Sequence, residues 1–217
     1  MSYAIYKVGV VGGGNMGGGI AALLARQGLP VVVKEANNTS ALKVLDEIFA
    51  RFQNWYDRGK IKEQRLEELK SLVAATSRSE DLSDVQLLIE AIPEKLEWKL
   101  KVFKEFDAIL PKEVIMVSNT SSLPITKLAE ATGRRDRVAG MHFFNPPTRM
   151  PLVELVRGKY MSEETLKIIE DFARSTLEKK TIRVKDQPGF LVNCLLVPYL
   201  NEALLGVEEA RVAPEAI

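Results

Sequence analysis

One imidazole and one carboxylate are the residues in this chain best suited to moving a proton. The only histidine among 217 residues, His142, lies in Gly140-Met-His-Phe-Phe-Asn-Pro-Pro147, and Glu154 is the single charge in the apolar run Leu152-Val-Glu-Leu-Val156. His142 is expected just past a strand end, and Asn145-Pro146-Pro147 then forces an extended or turning backbone. Folding the two runs back on each other lets the carboxylate reach a ring nitrogen, fix its tautomer and stabilise its protonated form, which is how a general base is held. Taken alone, a histidine near a strand end is more often a satisfied core or surface residue, so its surroundings must carry the argument.

The strongest of those surroundings is at the other end of the chain. Ile5 to Val11 reads as a strand, and Gly12-Gly-Gly-Asn-Met-Gly17 follows at once and opens into the helical run Ile20 to Arg26. This is the G-x-G-x-x-G pattern on Gly12, Gly14 and Gly17. Gly12 permits the tight turn, Gly14 lets a pyrophosphate approach the backbone, and Gly17 lets helix and strand pack closely. The helix N-terminus adds amides and a positive dipole end for phosphates. The next strand, Pro30 to Lys34, leads into Glu35, about 20 residues beyond the motif, where an acid accepts hydrogen bonds from ribose hydroxyls. A carboxylate there repels a 2′-phosphate, so NAD is expected rather than NADP, with Lys34 beside it as the one opposing charge.

Composition excludes several other classes. Lys plus Arg total 30 against 29 Asp plus Glu, leaving a net charge of +1, which argues against general nucleic-acid or membrane-surface binding. One histidine and one cysteine, Cys194, allow neither an internal disulfide nor a His/Cys metal cluster, so no metal is expected and the compartment reads as reducing. Ala4 to Val11 is too short and too polar for a secretory signal or a membrane span, which makes the cytoplasm the expected location.

The elements that must position these groups follow in order. Asn37 to Tyr56 and Lys62 to Leu72 read as a helical pair inserted on the basic unit. Arg58, Lys60 and Lys62 form a positive cluster near their turn, suited to a phosphate-rich substrate. Strands are expected at 72–76 and 85–92, followed by a helix over 95–110 with Leu96, Leu100, Phe103 and Phe106 on its inner face. Glu94 and Lys99 fall at the start of that helix, either as an ordinary helix-end charge pair or at the ligand-binding edge of the sheet. A strand at 114–117 runs into Ser118-Asn-Thr-Ser-Ser122, which would crowd the same crevice with hydroxyls and an amide; these are more small polar residues than capping the helix near Pro124 requires. A strand over 136–141 delivers His142. Strand 152–156, helix 162–178 and strand 181–184 complete the sheet. Gln187-Pro-Gly189 marks a boundary, and Phe190 to Leu205 reads as a helix apolar on almost every side and kinked at Pro198; such a helix must be buried against partner helices that are missing here or come from another copy. The fold class is thus α/β: a Rossmann-type doubly wound, mainly parallel sheet over residues 1–186 with a helical-pair insertion. Residues 187–217 are read as the first helix of a truncated all-α domain.

Six motifs in register resemble the L-3-hydroxyacyl-CoA dehydrogenase family: Gly12-x-Gly14-x-Met16-Gly17-x-Gly19-Ile20-Ala21, Glu90-Ala-Ile-x-Glu94, Ser118-Asn-Thr-Ser-Ser-Leu123, Gly140-Met-His-Phe-Phe-Asn-Pro-Pro147, Leu152-Val-Glu154 and Pro188-Gly-Phe-Leu-Val-Asn193. The resemblance implies NAD-dependent oxidation of an (S)-3-hydroxyacyl-CoA to the 3-ketoacyl-CoA, or its reverse. It implies that His142 is the base, that Glu154 orients it, that Ser121 holds the substrate hydroxyl and that Asn193 donates near the reacting oxygen. NAD is expected on Gly12, Gly14, Asn15, Met16, Gly17, Glu35, Ala91, Ile92, Glu94, Lys99, Asn119, Ser121 and Asn145, and CoA near Lys60. Dimerisation is expected through C-terminal helices, of which this chain carries only the first, so the fragment is expected to bind NAD while turning over poorly. Some family members are fused to an enoyl-CoA hydratase, which makes a longer natural chain a possibility. Cys194 stands where the family usually has arginine. Two other readings share these features: a non-catalytic NAD-binding structural protein like a lens crystallin, and a hydroxyacid or sugar-acid dehydrogenase that does not use CoA. The intact set His142, Glu154, Ser121 and Asn193 argues against the first.

Overall fold

The computed structural model describes residues 3–209, 211 and 213. Eight strands form one sheet: β1 (Val8–Val11), β2 (Val31–Lys34), β3 (Val73–Thr76), β4 (Leu87–Glu90), β5 (Ile115–Ser118), β6 (Val138–Phe143), β7 (Leu152–Arg157) and β8 (Lys180–Lys185). Their order is β3-β2-β1-β4-β5-β6-β7-β8. The first six are parallel, β7 is antiparallel to β6, and β8 is parallel to β7. The order reverses between β1 and β4, and it is at the carboxyl ends of strands flanking such a reversal that α/β sheets bind ligands.

Helices cover both faces, so strands such as Leu87-Leu-Ile-Glu90 are buried along their whole length. Because side chains alternate across a strand, Leu87 and Ile89 enter one core and Leu88 the other. The first core is closed by α1 (Asn15–Arg26), α2 (Asn38–Asp57), α3 (Glu63–Ser71) and α6 (Glu163–Asp171), and the second by α4 (Leu96–Ile109) and α5 (Ile125–Glu130). In β6 and β7, Met141, Phe143, Val153 and Leu155 belong to the first core and Val138 and Val156 to the second. The same alternation puts His142 and Glu154 together on the second face.

Several expectations need correction. His142 is not past a strand end: β6 continues to Phe143, because the antiparallel partner β7 extends its ladder. The helix expected over 162–178 is α-helical only to Asp171 and ends in a π-turn over Phe172–Thr176. Of the two uses open to Ser118 to Ser122, capping α5 is not the one observed. The first amides of α5 donate instead to the carboxylate of Asp186, with Ile125 N to Oδ1 at 2.9 Å and Thr126 N to Oδ2 at 2.8 Å. Leu96 and Leu100 are only half-buried, while Phe103 and Phe106 fill the inner face of α4.

The last helix, α7 (Val192–Glu208), begins later than expected and is not buried. Phe190 lies before it, fully buried with φ +50°, and Leu195, Val197, Tyr199 and Leu204 are exposed. A helix apolar all round needs partners on every side, and the N-terminal end of α7 is tied to the sheet through the Glu154 carboxylate.

Candidate active site

The crevice between β1 and β4 is built by the glycine turn. Gly12 has φ +88°, and a Cβ placed on Gly17 would lie 1.8 Å from the Gly12 carbonyl oxygen, so helix and turn approach closer than any side chain allows. A Cβ on Gly14 would meet nothing within 4 Å, leaving its backbone open to an incoming pyrophosphate. A cavity of about 680 Å³ is lined here by Gly12, Gly14, Asn15, Met16, Glu35, Ala91 and Ile92. Glu35 sits at the end of β2 and accepts a hydrogen bond from the Gly13 amide, which fixes a carboxylate on the crevice wall. These features fit a dinucleotide with a free 2′-hydroxyl.

A second cavity of about 320 Å³ shares Met16, Ala91 and Ile92 with the first and continues it toward β6. Its other walls are Glu94, Lys99, Asn119, Ser121, His142, Phe143, Phe144, Asn145 and Asn193. Residues from five separate sequence regions thus converge on one space.

His142 and Glu154 are direct cross-strand partners in the β6–β7 register, and Nδ1 of the ring lies 2.7 Å from Glu154 Oε2. The other carboxylate oxygen accepts the amides of Leu191 at 3.0 Å and Val192 at 2.9 Å, so Glu154 also closes the N-terminus of α7. Burial pushes the Glu154 carboxyl up, but the hydrogen bond from His142 and those from the Val192 and Leu191 amides outweigh it and hold the group below the usual carboxylate range. The imidazole is walled by Phe144 and Phe190, with ring centroids at 4.7 and 5.8 Å. With Nδ1 engaged, the second ring nitrogen is the one left for a substrate proton.

The floor of the cavity is ionic. Lys99, only 1% exposed, donates to Glu90 Oε1 at 2.6 Å and to the Ile92 carbonyl at 3.0 Å, and its ammonium lies 3.4 Å from Glu94 Oε2. Glu90 is fully buried, and its Oε2 accepts the Ser118 hydroxyl at 2.5 Å. Glu94 Oε1 gathers the Thr120 and Ser121 hydroxyls and the Ser121 amide. Burial raises the Glu94 carboxyl, but the Thr120 hydrogen bond, the Lys99 charge and the Ser121 amide bring it below its ordinary value. The polar run after β5 therefore serves Glu94 and Glu90 rather than a helix cap.

Lys60 is not in this space. With Arg58, Arg51, Trp55, Pro146, Thr148 and Arg149 it lines a separate cavity of about 560 Å³, and Lys62 does not join them. The two spaces are neighbours through the β6–β7 loop, which supplies Asn145 to one and Pro146 to the other. Sequence reasoning singled out no role for Phe144, Phe190 or Arg51. Glu90, quoted only as part of a motif, carried a readable signal: a carboxylate at the end of an otherwise apolar strand must find a buried partner. Among the described residues no group of three or more His, Cys, Asp or Glu is placed to hold a metal, and no helix is long and apolar enough to cross a membrane.

Comparison with known proteins agrees with this geometry. Residues 7–187 match the family described as "3-hydroxyacyl-CoA dehydrogenase, NAD binding domain". The chain is 42% identical over 209 residues to a 3-hydroxybutyryl-CoA dehydrogenase of Mycobacterium tuberculosis, an alignment covering 96% of this chain and 73% of that protein. Among solved structures it is similar to M. tuberculosis FadB2, with a TM-score of 0.96, 40% identity and coverage of 99% of this chain and 75% of the other. It is also similar to (S)-3-hydroxybutyryl-CoA dehydrogenase PaaH1 from Ralstonia eutropha, with a TM-score of 0.94, 38% identity and coverage of 99% and 75%.

Proposed function

Since the chain belongs to the 3-hydroxyacyl-CoA dehydrogenase family, we propose that His142 is the general base of its reaction and Glu154 the carboxylate that orients it. The chain is an NAD-dependent oxidoreductase acting on CH–OH, converting a 3-hydroxyacyl-CoA to the 3-ketoacyl-CoA or the reverse. The observation that carries the assignment of roles is the 2.7 Å contact between Nδ1 and Glu154 Oε2, made at the wall of the cavity that continues the glycine crevice.

Oxidation of the alcohol breaks its O–H and C–H bonds and forms C=O. Bound NAD supplies the hydride acceptor. The free nitrogen of His142 takes the hydroxyl proton, and Glu154 balances the positive charge the ring acquires. Ser121 and Asn193 line the same cavity, Ser121 being read as the residue that holds the substrate hydroxyl and Asn193 as the amide donor near the reacting oxygen as its charge changes. Phe144 and Phe190 keep water from the ring. Gly12, Gly14, Asn15, Met16 and Gly17 are assigned to the pyrophosphate turn and Glu35 to the adenosine ribose. Ala91, Ile92, Glu94, Lys99, Asn119 and Asn145 are assigned to the nicotinamide end. Lys60, with Arg51 and Arg58, is read as a CoA phosphate contact outside the catalytic cavity.

Gln187–Gly189 is taken as the boundary between the NAD-binding domain and the following helical segment, supported by the turn at Gly189 and Phe190. The exposed apolar side of α7 supports a homodimer formed through C-terminal helices, and the single thiol fits a cytoplasmic setting. Rates with acetoacetyl-CoA, free acetoacetate and L-gulonate test the substrate class. A clear preference for the CoA ester is expected, whereas equal use of free acetoacetate or oxidation of L-gulonate would point to a substrate without CoA.

A further inference from the structure

The ionic floor of the His142 cavity holds more charge than positioning a ribose requires. Glu90 is fully buried, and all its contacts are with donors: the Lys99 ammonium and the Ile92 amide on Oε1, at 2.6 and 2.7 Å, and the Ser118 hydroxyl on Oε2. Ser118 Oγ in turn accepts the Thr120 amide at 3.2 Å, which commits its own proton to Glu90 and fixes Glu90 as an acceptor. The Lys99 ammonium has three protons and three oxygen neighbours, on Glu90, Ile92 and Glu94. Two carboxylates therefore face one ammonium, and the cluster keeps one net negative charge at the cavity floor. Glu154, paired with His142, adds a further carboxylate behind that ring, and among the described residues Lys99 is the one Lys or Arg that lines the cavity.

A nicotinamide ring is cationic when oxidised and neutral when reduced. A fixed negative charge in a partly desolvated pocket therefore acts on one redox form and not on the other. We infer that the Glu90–Lys99–Glu94 cluster sets the preference of this crevice for the oxidised over the reduced cofactor, with Glu90 as a positioning residue that anchors Lys99 while supplying half of the opposing charge. This rests on the reading that the His142 cavity takes the nicotinamide. Contacts to ribose and phosphates are common to both forms and cancel in the ratio of their dissociation constants, whereas the charge of the floor does not.

The test is equilibrium titration of the whole chain with NAD+, NADH and ADP-ribose, which lacks the nicotinamide. Glu90→Gln and Glu94→Gln each remove one negative charge and are expected to raise Kd(NAD+)/Kd(NADH) by roughly tenfold. Lys99→Met removes the positive charge and is expected to lower the same ratio. A purely structural role would move both constants together and would not reverse sign. ADP-ribose should compete with both cofactors and should bind Glu90→Gln as it binds the parent chain. If Glu90→Gln loses its circular-dichroism signature, Glu94→Gln and Lys99→Met decide the matter between them. An unchanged ratio in the folded variants, with ADP-ribose still competing, overturns the inference but leaves the crevice assignment standing. Failure of ADP-ribose to compete overturns both.

Discussion

Glu154 joins two parts of the chain that are distant in sequence: one oxygen faces His142 Nδ1 at 2.7 Å and the other accepts the Val192 amide at 2.9 Å, at the first turn of α7. The base and the entry to the last helix are thus positioned by one buried carboxylate. Any movement of α7 relative to the sheet acts on the orientation of the imidazole through this residue.

Glu154→Gln separates the two duties. An amide in place of the carboxylate still accepts from the Leu191 and Val192 amides but no longer balances a protonated ring. A fall in kcat of roughly 10²-fold with little change in NAD affinity is expected. Steady-state kinetics beside a cofactor titration check it, and an unchanged kcat would release Glu154 from the reaction.

Removing Glu35 acts on the cofactor and not on the chemistry. Glu35→Ala takes away the carboxylate that repels a 2′-phosphate and accepts the ribose hydroxyls, so NAD binds more weakly and the discrimination against NADP shrinks by roughly tenfold or more. The ratio of kcat/KM for the two cofactors measures it. The same ratio in variant and parent would mean that the ribose is held elsewhere.

Acid sensitivity follows from Glu154, Glu94 and Asp107, all held below the ordinary carboxylate range. A carboxyl depressed in the folded state stabilises the fold above its unfolded pKa, and that contribution is lost as pH falls through the folded value. Thermal stability should therefore be nearly flat from neutrality to about pH 5 and fall below about pH 4. In Glu154→Gln the acid limb should be shallower. An identical pH profile for the two proteins would contradict the assignment of this linkage to Glu154.

Asp186 makes a purely structural prediction. It caps α5 from 61 residues away, accepting from Ile125 N, Thr126 N and the Thr126 hydroxyl. Asp186→Ala should cost about 1–2 kcal/mol of stability with the Kd for NAD unchanged. Chemical denaturation reads the first and titration the second; a loss within about 0.3 kcal/mol, small beside a typical cap, would assign the cap to another group.

Much of this arrangement is legible in sequence because it rests on local rules. The glycine turn, the acid after β2 and the helix after it are each specified within a few residues, and the proline loop between β6 and β7 announces a reversal. The convergence of Ser121, His142 and Asn193 is legible only in part: the ends of successive strands bring the Ser118–Ser122 run and His142 to one crevice edge, whereas Asn193 is implied by the family resemblance alone. The reading fails where tertiary context overrides a local signal. Ser118–Ser122 carry more hydroxyls than a cap needs, which points to the crevice, but their partners there, Glu90 and Glu94, and the use of Asp186 to cap α5 have no local signal. Phe190 looks helical by composition, yet it leaves the helix to fill the space beside His142, a choice fixed by packing alone. Lys99 reads either as half of a helix-end charge pair with Glu94 or as part of the ligand-binding edge, and the buried Glu90 explains why it points inward.

The central claim is that the His142 imidazole takes the substrate proton beside the cofactor. Single-turnover kinetics of His142→Gln, with NAD affinity measured on the same sample, test it most directly. The predicted result is an unchanged Kd for NAD and a hydride-transfer step slower by roughly 10²-fold or more. A variant that binds NAD normally and transfers hydride at the parent rate would contradict it.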